Sequence, residues 1–432
     1  MQIILPTQGA RRAAMVAELL LFLLASAWII KTAVADRLAN DSTVKTLQWA
    51  VRLAPRNSDY HLRLGRLYQY SAAEVHPEQA LAQFQAAVRL NPDDPQVWLD
   101  LAAYLEFQGD IKNAEMCLRF ADVLAPHLPA YQWTIGNFFL LHGNLGEAFP
   151  HFRAVLAGTS RFDGILFDTA WKAAGDAQQI LQKMIPRRTK TEFSYLNYLI
   201  SHRQDLAAQE VWQQIVKSPE SFPPTAAAPY LDSLLGTRHA AEAYQVWSDL
   251  LSRSALAPTY LPKGQNLVIN GDFEEELINM GFDWRSSPLG DVYTGLDATT
   301  FHSPSHALFI HFPGKANYDY RHFYQWVRVE PGRPYRLQAL MKTAGITTDS
   351  GPRLGVRDPY DLAALDKFSD DLEGTHLGWT TLALDFTTGP KTEVIVVAIR
   401  RLPSRKLDNQ IAGEVWVDDV SLTAEPPGKV SP

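Results

Sequence analysis

The sequence predicts a multidomain chain of α plus β class: an N-terminal transmembrane helix, an α-helical solenoid and a C-terminal β-sandwich. Three observations predict it. An apolar run from Ala13 to Ile30 is broken only by Glu18. Prolines, small residues and aromatics then recur together at spacings of 37 and 34 residues between Leu47 and Ala157. After a short Pro and Gly stretch from Pro258 to Gly264, the pattern changes to strand-like alternation with frequent turn residues.

Bulk composition narrows the classes further. The 432 residues exceed one ordinary core, and 46% hydrophobic with 20% charged residues is the content of folded domains. A net charge of −7 leaves no basic stripe for neutralising phosphates, so nucleic acid is not an expected partner. The single cysteine, Cys117, forms no internal disulfide and no thiolate metal cluster. Beside Met116 and Leu118 it reads as a small buried hydrophobe.

Residues 1–12 read as a cytoplasmic tail and 13–35 as a transmembrane anchor or signal segment. About 18 to 22 apolar residues reach across a bilayer core, and the paired Arg11 and Arg12 favour a cytoplasmic amino terminus. Ala33, Val34 and Ala35, followed by Asp36, also form the small-residue pattern of a cleaved signal peptide. Lys31, standing between the apolar run and that pattern, favours the anchor. Either way the bulk of the chain is expected to be periplasmic or extracellular.

The helical array is expected over residues 40–256. Pro55, Pro92 and Pro126 share their spacing with Gly65, Ala102 and Gly136. Ala50, Ala87 and Ala121 lie five residues before the prolines, and Leu47, Phe84 and Leu118 three earlier. Ala80, Ala114 and Ala148 stand four residues before Phe84, Leu118 and Phe152. Small residues where helices cross, a large residue filling the groove and a proline closing the second helix make a repeating helical hairpin.

This pattern resembles the tetratricopeptide repeat family. The 37-residue spacing implies a three-residue insertion near Ser71 to His76, and Ser160 stands where a closing proline is expected. Two complete units are therefore expected, with a partial unit before and a degenerate one after. Further helices are expected at Glu192 to Ser201, Leu206 to Val216 and Ala240 to Leu251, interrupted by a loop at Pro219, Pro223, Pro224 and Pro229. The resemblance implies an interaction scaffold with a groove for protein or peptide ligands. Arg63, Arg66, Tyr68, Gln69 and Asn137 are the candidate groove residues. His142 and His151 lack a partner at metal-ligand spacing.

Residues 257–265 read as a linker, 266–425 as the sandwich and 426–432 as a tail. Leu382, Leu384 and Phe386 alternate with polar or small residues, and Val394 to Ile399 is a nearly unbroken β-branched run. With Phe309 to Phe312, Phe323 to Val329, Tyr335 to Met341 and Glu414 to Leu422, they predict about eight strands, the size of a jelly roll.

Four motifs in order carry a second resemblance. They are Asn266 to Glu274, Tyr324 to Val327 leading to Pro331, Gly332 and Tyr335, then Gly378 to Thr380, and Val415 to Leu422. Together they resemble carbohydrate-binding modules of families 4, 9 and 22. The resemblance implies that Asn266 to Glu274 forms the first strand. It also implies one structural calcium ion, with Glu274 and Asp418 as ligands and Asp272 as a further one, since hard cations take carboxylate and carbonyl oxygens. Without the ion, the two carboxylates are expected to repel and raise one pKa.

Sugar binding requires aromatic faces with polar groups at the rim. Tyr318, Tyr320, Tyr324, Trp326, Arg357 and Tyr360 are the candidates, whereas Trp284, Trp379 and Trp416 match family positions that are packed inside. His302, His306, His311 and His322 fit no zinc spacing.

No enzyme is expected. Phosphate loops, H-E-x-x-H, G-x-S-x-G and C-x-x-C are absent, and no carboxylate pair is singled out. Asp358, Asp361 and His376 read as a polar loop as readily as an acid and base pair. The preferred expectation is a membrane-anchored envelope scaffold whose array binds proteins and whose sandwich binds glycan, in polysaccharide assembly or export. The alternatives are a purely protein-binding scaffold and a cryptic polysaccharide-degrading enzyme.

Overall fold

A computed structural model describes residues 8–426 apart from 42, 71–75 and 254. Most of the expected insertion near Ser71 to His76, and the chain ends at 1–7 and 427–432, lie outside the described residues. The chain divides into two compact units at Pro186 and Arg187. The class is as the sequence predicts: helices first, then two antiparallel sheets.

In the first unit, helix α1 runs from Gln8 to Asn40 and is the one described helix long and apolar enough to cross a membrane. It does not end at the apolar run. Ala35 and Ala39 are fully buried where α1 packs on α2 (Val44–Leu53). The Tyr60 hydroxyl of α3 (Ser58–Tyr70) donates to the Asp36 carboxylate. Of the Ala33 to Ala35 pattern, Ala35 therefore lies within the helical packing, while Ala33 and Val34 are exposed.

Six more helices complete the repeating part: α4 (Pro77–Leu90), α5 (Pro95–Phe107), α6 (Ile111–Leu124), α7 (Pro129–Leu141), α8 (Leu145–Gly158) and α9 (Asp163–Ala174). A short α10 (Ala177–Lys183) follows. Proline opens α4, α5 and α7, where its missing N–H costs nothing, and Asp94, Asp110 and Asn144 cap the first turns of α5, α6 and α8. Ala50, Ala87, Ala121, Ala80, Ala114 and Ala148 are all fully buried at the crossings.

Small and large residues match in size across each hairpin. A methyl group built on Gly65 would lie 2.9 Å from the Phe84 ring, and one on Gly136 would lie 2.6 Å from the Phe152 ring. The middle unit has Ala102 and the smaller Leu118 at those positions, both buried. We expect Gly136→Ala to cost about 1–3 kcal/mol by overpacking. Adding Phe152→Leu should return much of that loss, a coupling that urea denaturation of the two single variants and the double variant measures.

The second unit begins with α11 (Thr189–Ser201), α12 (Asp205–Lys217), α13 (Ala228–Gly236) and α14 (Ala240–Ser252). Pro223 and Pro224 lead into a short 3-10 turn. Pro229 instead sits in the first turn of α13, a helix that the expected proline loop concealed.

Ten strands follow: β1 (Arg285–Ser286), β2 (Tyr293–Asp297), β3 (Ala307–Pro313), β4 (Tyr320–Arg328), β5 (Pro334–Ile346), β6 (Arg353–Arg357), β7 (Asp366–Asp371), β8 (Gly374–Thr387), β9 (Val394–Arg401) and β10 (Ala412–Ala424). They form two five-stranded antiparallel sheets, ordered β1-β4-β9-β6-β7 and β2-β3-β10-β5-β8. The strict alternation of β5 faces one side to the core. Trp284, Phe273 and Phe323 pack together between the sheets, with Trp284 and Phe323 stacked at 4.9 Å.

The segment Asn266 to Glu274 is not a regular strand. It runs beside β10 through Leu267 N–H to Leu422 C=O and Val420 N–H to Gly271 C=O. The Gln325 side chain stands in for a strand partner, accepting from Ile269 N–H at 2.9 Å and donating to Ile269 C=O at 2.7 Å. Asn270 and Phe273 adopt positive φ, which breaks the ladder. A side chain on Gly271 would meet the Val420 carbonyl oxygen at 2.1 Å, so only glycine permits this approach.

Candidate ligand-binding site

Alternation along β4 turns Phe323, Gln325 and Val327 inward and Tyr324, Trp326 and Arg328 outward. The sheet register carries Tyr324 across the outer face to Ala398, Gly355 and Phe368. An aromatic ring thus stands at either end of a floor of small residues, about 14 Å apart at the usual strand spacing. Gly355 is required here: its missing side chain leaves room for the Arg400 stem, whose Cγ lies 2.4 Å from where a Cβ would be. The Arg400 guanidinium then lies 5.7 Å over the Phe368 ring and donates to Asp319 and the Tyr320 carbonyl, each at 3.0 Å.

A pocket of about 100 Å³ opens on this trough, lined by Arg321, Arg357, Arg400, Asp366, Phe368 and Leu362 over Val396 and Ala398. Burial pushes the Arg400 pKa down, and the charges of Arg321 and Arg357 act in the same sense against Asp319.

The other half of the same face is covered by the chain's own helices. Trp326 packs against Tyr360 at 6.0 Å, and the Tyr360 hydroxyl donates to the Leu235 carbonyl of α13 at 2.5 Å. Arg238 lies over the Tyr360 ring, Arg328 lies over Tyr244 of α14, and Arg285 pairs with Asp232 at 2.6 Å. The expected linker is part of this packing, since the Tyr260 carbonyl accepts from Trp247 Nε1 and its hydroxyl donates to Glu276 C=O. A cleft of about 450 Å³ remains between α14 and the β4 edge, lined by Tyr244, Phe282 and Trp326.

The sugar candidates therefore separate. Tyr324 and Arg357 reach the open trough, whereas Trp326 and Tyr360 hold the helices. Tyr320 is a core residue whose hydroxyl bonds to Thr294 at 2.8 Å, and Tyr318 is half-buried against the core. Trp379 and Trp416 are only partly buried. Trp416 faces outward on β10, its ring tilted against Phe309 at 5.4 Å with Nε1 donating to Asp297, and Trp379 lies edge-on to His302. Phe368, Arg321 and Arg400 were missed, because only sheet register brings them together. Asp358 organises its own loop, accepting from Tyr360 N–H, Asp361 N–H and the Thr392 hydroxyl.

Glu274 and Asp418 lie on either side of the 302–306 segment. Asp418 accepts from the N–H groups of His302, Ser303 and Asp419 and from the Ser303 hydroxyl at 2.7–2.9 Å. Glu274 accepts from Ser305 N–H, His306 N–H and the Ser305 hydroxyl. Asp272 turns instead to Lys263 at 2.6 Å. In this arrangement N–H and O–H donors occupy the Glu274 and Asp418 oxygens that a cation would need, while Asp272 Oδ1 is buried without a hydrogen-bond partner among the described residues. Among the described residues no three His, Cys, Asp or Glu side chains are grouped for a metal. Burial pushes the Glu274 pKa up, but the Ser305 and His306 donors outweigh it and the carboxyl titrates low, not raised as carboxylate repulsion would have it. We expect neither added calcium nor chelator to move the melting temperature of the full chain; a calcium-dependent rise would show that the ion displaces these donors.

The candidate groove residues of the first unit are largely engaged. Arg63 pairs with Asp59 at 2.8 Å, and Arg66 makes a two-pronged pair with Asp100. Tyr68 is buried and accepts from Gln48 Nε2 at 2.8 Å, Gln69 is buried, and Asn137 is half-buried. Exposed apolar residues lie elsewhere: Met116, Phe120 and Val123 line one face of α6, 51%, 51% and 79% exposed. Cys117 is buried as expected, and burial pushes its thiol pKa up to about 11.

No family model matches the chain, and no curated protein matches it. Among solved structures, the enzymatically active domain of tailspike protein 4 from bacteriophage CBA120 is similar at 18% identity and TM-score 0.26, over 37% of this chain and 22% of that one. This chain thus spans about a fifth of that tailspike chain. A structure described as "CBM4 structure and function" is similar at 17% identity and TM-score 0.25, covering 37% of this chain and 99% of that one. Pseudomonas aeruginosa pilF is similar at 12% identity and TM-score 0.26, over 53% of this chain and 92% of that one.

Proposed function

We propose that the chain is a non-enzymatic, membrane-anchored scaffold of the cell envelope. Its sandwich binds a saccharide in the trough between Tyr324 and Phe368, and its helical repeats bind a protein partner. The trough carries the reading: aromatic walls, a floor of small residues and guanidinium donors at the rim are what a sugar ring with apolar faces and polar edges requires. The α6 stripe supports the protein half, since an exposed apolar row on a folded helix loses water on docking. Continuity of α1 into the packed repeats supports an anchor over a cleaved signal, with the bulk of the chain outside.

The test is a glycan panel on the full detergent-solubilised chain, with Tyr324→Ala alongside. Saccharide binding that Tyr324→Ala weakens at least about tenfold, a change of about 1.4 kcal/mol, is the expected result. A folded chain that binds no glycan overturns it. The second reading, a scaffold with protein partners only, draws on the helices that occupy Trp326 and Tyr360. Phe120→Asp should then abolish partner capture while the panel stays blank.

A further inference from the structure

The trough is more positive than a neutral sugar needs. Three guanidinium groups, from Arg321, Arg357 and Arg400, line one small pocket. Arg400 is committed to Asp319 and the Tyr320 carbonyl, held flat over the sheet by Gly355 and Phe368. Among the described residues Arg321 and Arg357 form no ion pair; the acidic residue at the rim, Asp366, pairs with Arg357 through backbone register alone. Like charges gathered around a half-enclosed pocket repel one another until an anion enters. The planar guanidinium also offers paired donors that match a carboxylate or an oxyacid group.

We propose that the ligand of this trough is an acidic saccharide, with the anionic group of one sugar residue seated between Arg321 and Arg357. Its ring lies toward Phe368, and a neighbouring sugar residue of the same chain reaches Tyr324. Arg400 is the positioning residue, fixed by its own bonds, that sets the pocket's charge and floor. Because α13 and α14 cover the Trp326 half of the face, the trough holds a short stretch of chain, and one charged residue accounts for much of the contact.

This inference rests on the glycan reading above and is tested separately from it. Tetragalacturonate, its neutral galactose counterpart, a sulfated oligosaccharide and inorganic sulfate are titrated into the full chain, with Arg357→Ala, Arg321→Ala and Arg357→Lys as variants. The expected result is at least about tenfold tighter binding of an acidic oligosaccharide than of the neutral one, weakened by salt. Arg357→Ala and Arg321→Ala should each remove most of that preference without shifting the melting temperature, and Arg357→Lys should keep part of it. The uronate and sulfated arms tell a carboxylate from an oxyacid ester as the anion. Equal binding of acidic and neutral oligosaccharides, unchanged by both Arg→Ala variants, overturns the acidic ligand and leaves the glycan reading standing. Binding of inorganic sulfate with no oligosaccharide overturns both, as does no binding at all by a chain that melts normally.

Discussion

Replacing Arg401 with alanine is expected to cost about 3–5 kcal/mol, a large share of a domain's net stability. Arg401 is fully buried on β9. Its Nε donates to Ser350 C=O at 3.1 Å, one terminal nitrogen donates to Asn317 Oδ1 and Tyr318 C=O, and the other to Thr348 Oγ1 and Asn409 C=O. One planar fork thus ties three loops to the end of a central strand. Alanine takes a donor from five acceptors, of which Ser350 C=O keeps the Thr348 hydroxyl and Asn317 Oδ1 keeps the Ser404 N–H, and it leaves a void where the stem lay. Lysine restores the charge without the fork and should recover little. Urea denaturation followed by tryptophan fluorescence measures the loss; a cost below about 1 kcal/mol would mean that water replaces the guanidinium at these acceptors.

Arg400 and Arg401 also show why the site was harder to read than the fold. Neighbouring residues in a strand face opposite sides, so one arginine belongs to the trough and the other to the interior. Nothing in the local run from Ile399 to Ser404 says which. The helical repeats were legible because their rule is local: a small residue at a crossing requires a large partner a fixed distance away, and Gly136 with Phe152 obeys it as Ala102 with Leu118 does. Trp284 also fell where the motif expects a core residue. By contrast α13 was hidden by Pro229, which ends helices in their interior but is favoured in their first turn. The irregular Asn266 to Glu274 segment had the apolar pattern of a strand, but its partner is the Gln325 side chain, 56 residues away from Ile269. Tyr324 was legible as an outward aromatic of β4. Phe368 and Arg321 reach the same trough only through pairings that skip over β5 in sequence, and helical cover of Trp326 depends on tertiary contact alone.

Asp283 should make the second unit lose stability as pH rises from about 4 to 7. Burial pushes its carboxyl up to about 7, from an ordinary 3.8. Oδ2 accepts from Ile278 N–H at 2.8 Å, and the Trp284 N–H and the Asn270 side chain also favour the charged form, but burial outweighs them. The sign follows from proton counts. Below the unfolded value both states hold the proton, and the full stability is present. Between the two values the unfolded chain releases its proton while the folded chain keeps it, so each step in pH favours unfolding. Above about 7 the folded state must bury a charge, and the whole loss, about 4 kcal/mol for a shift of about three pH units, is in force. Asparagine mimics the protonated acid, with its oxygen toward Ile278 N–H and its amide group in place of the protonated oxygen. Asp283→Asn should therefore match the parent near pH 4, exceed it at pH 8, and flatten the profile between. Parallel stability curves for parent and variant across that range would show instead that Asp283 is ionised in the folded state, with its charge reaching water or Arg285.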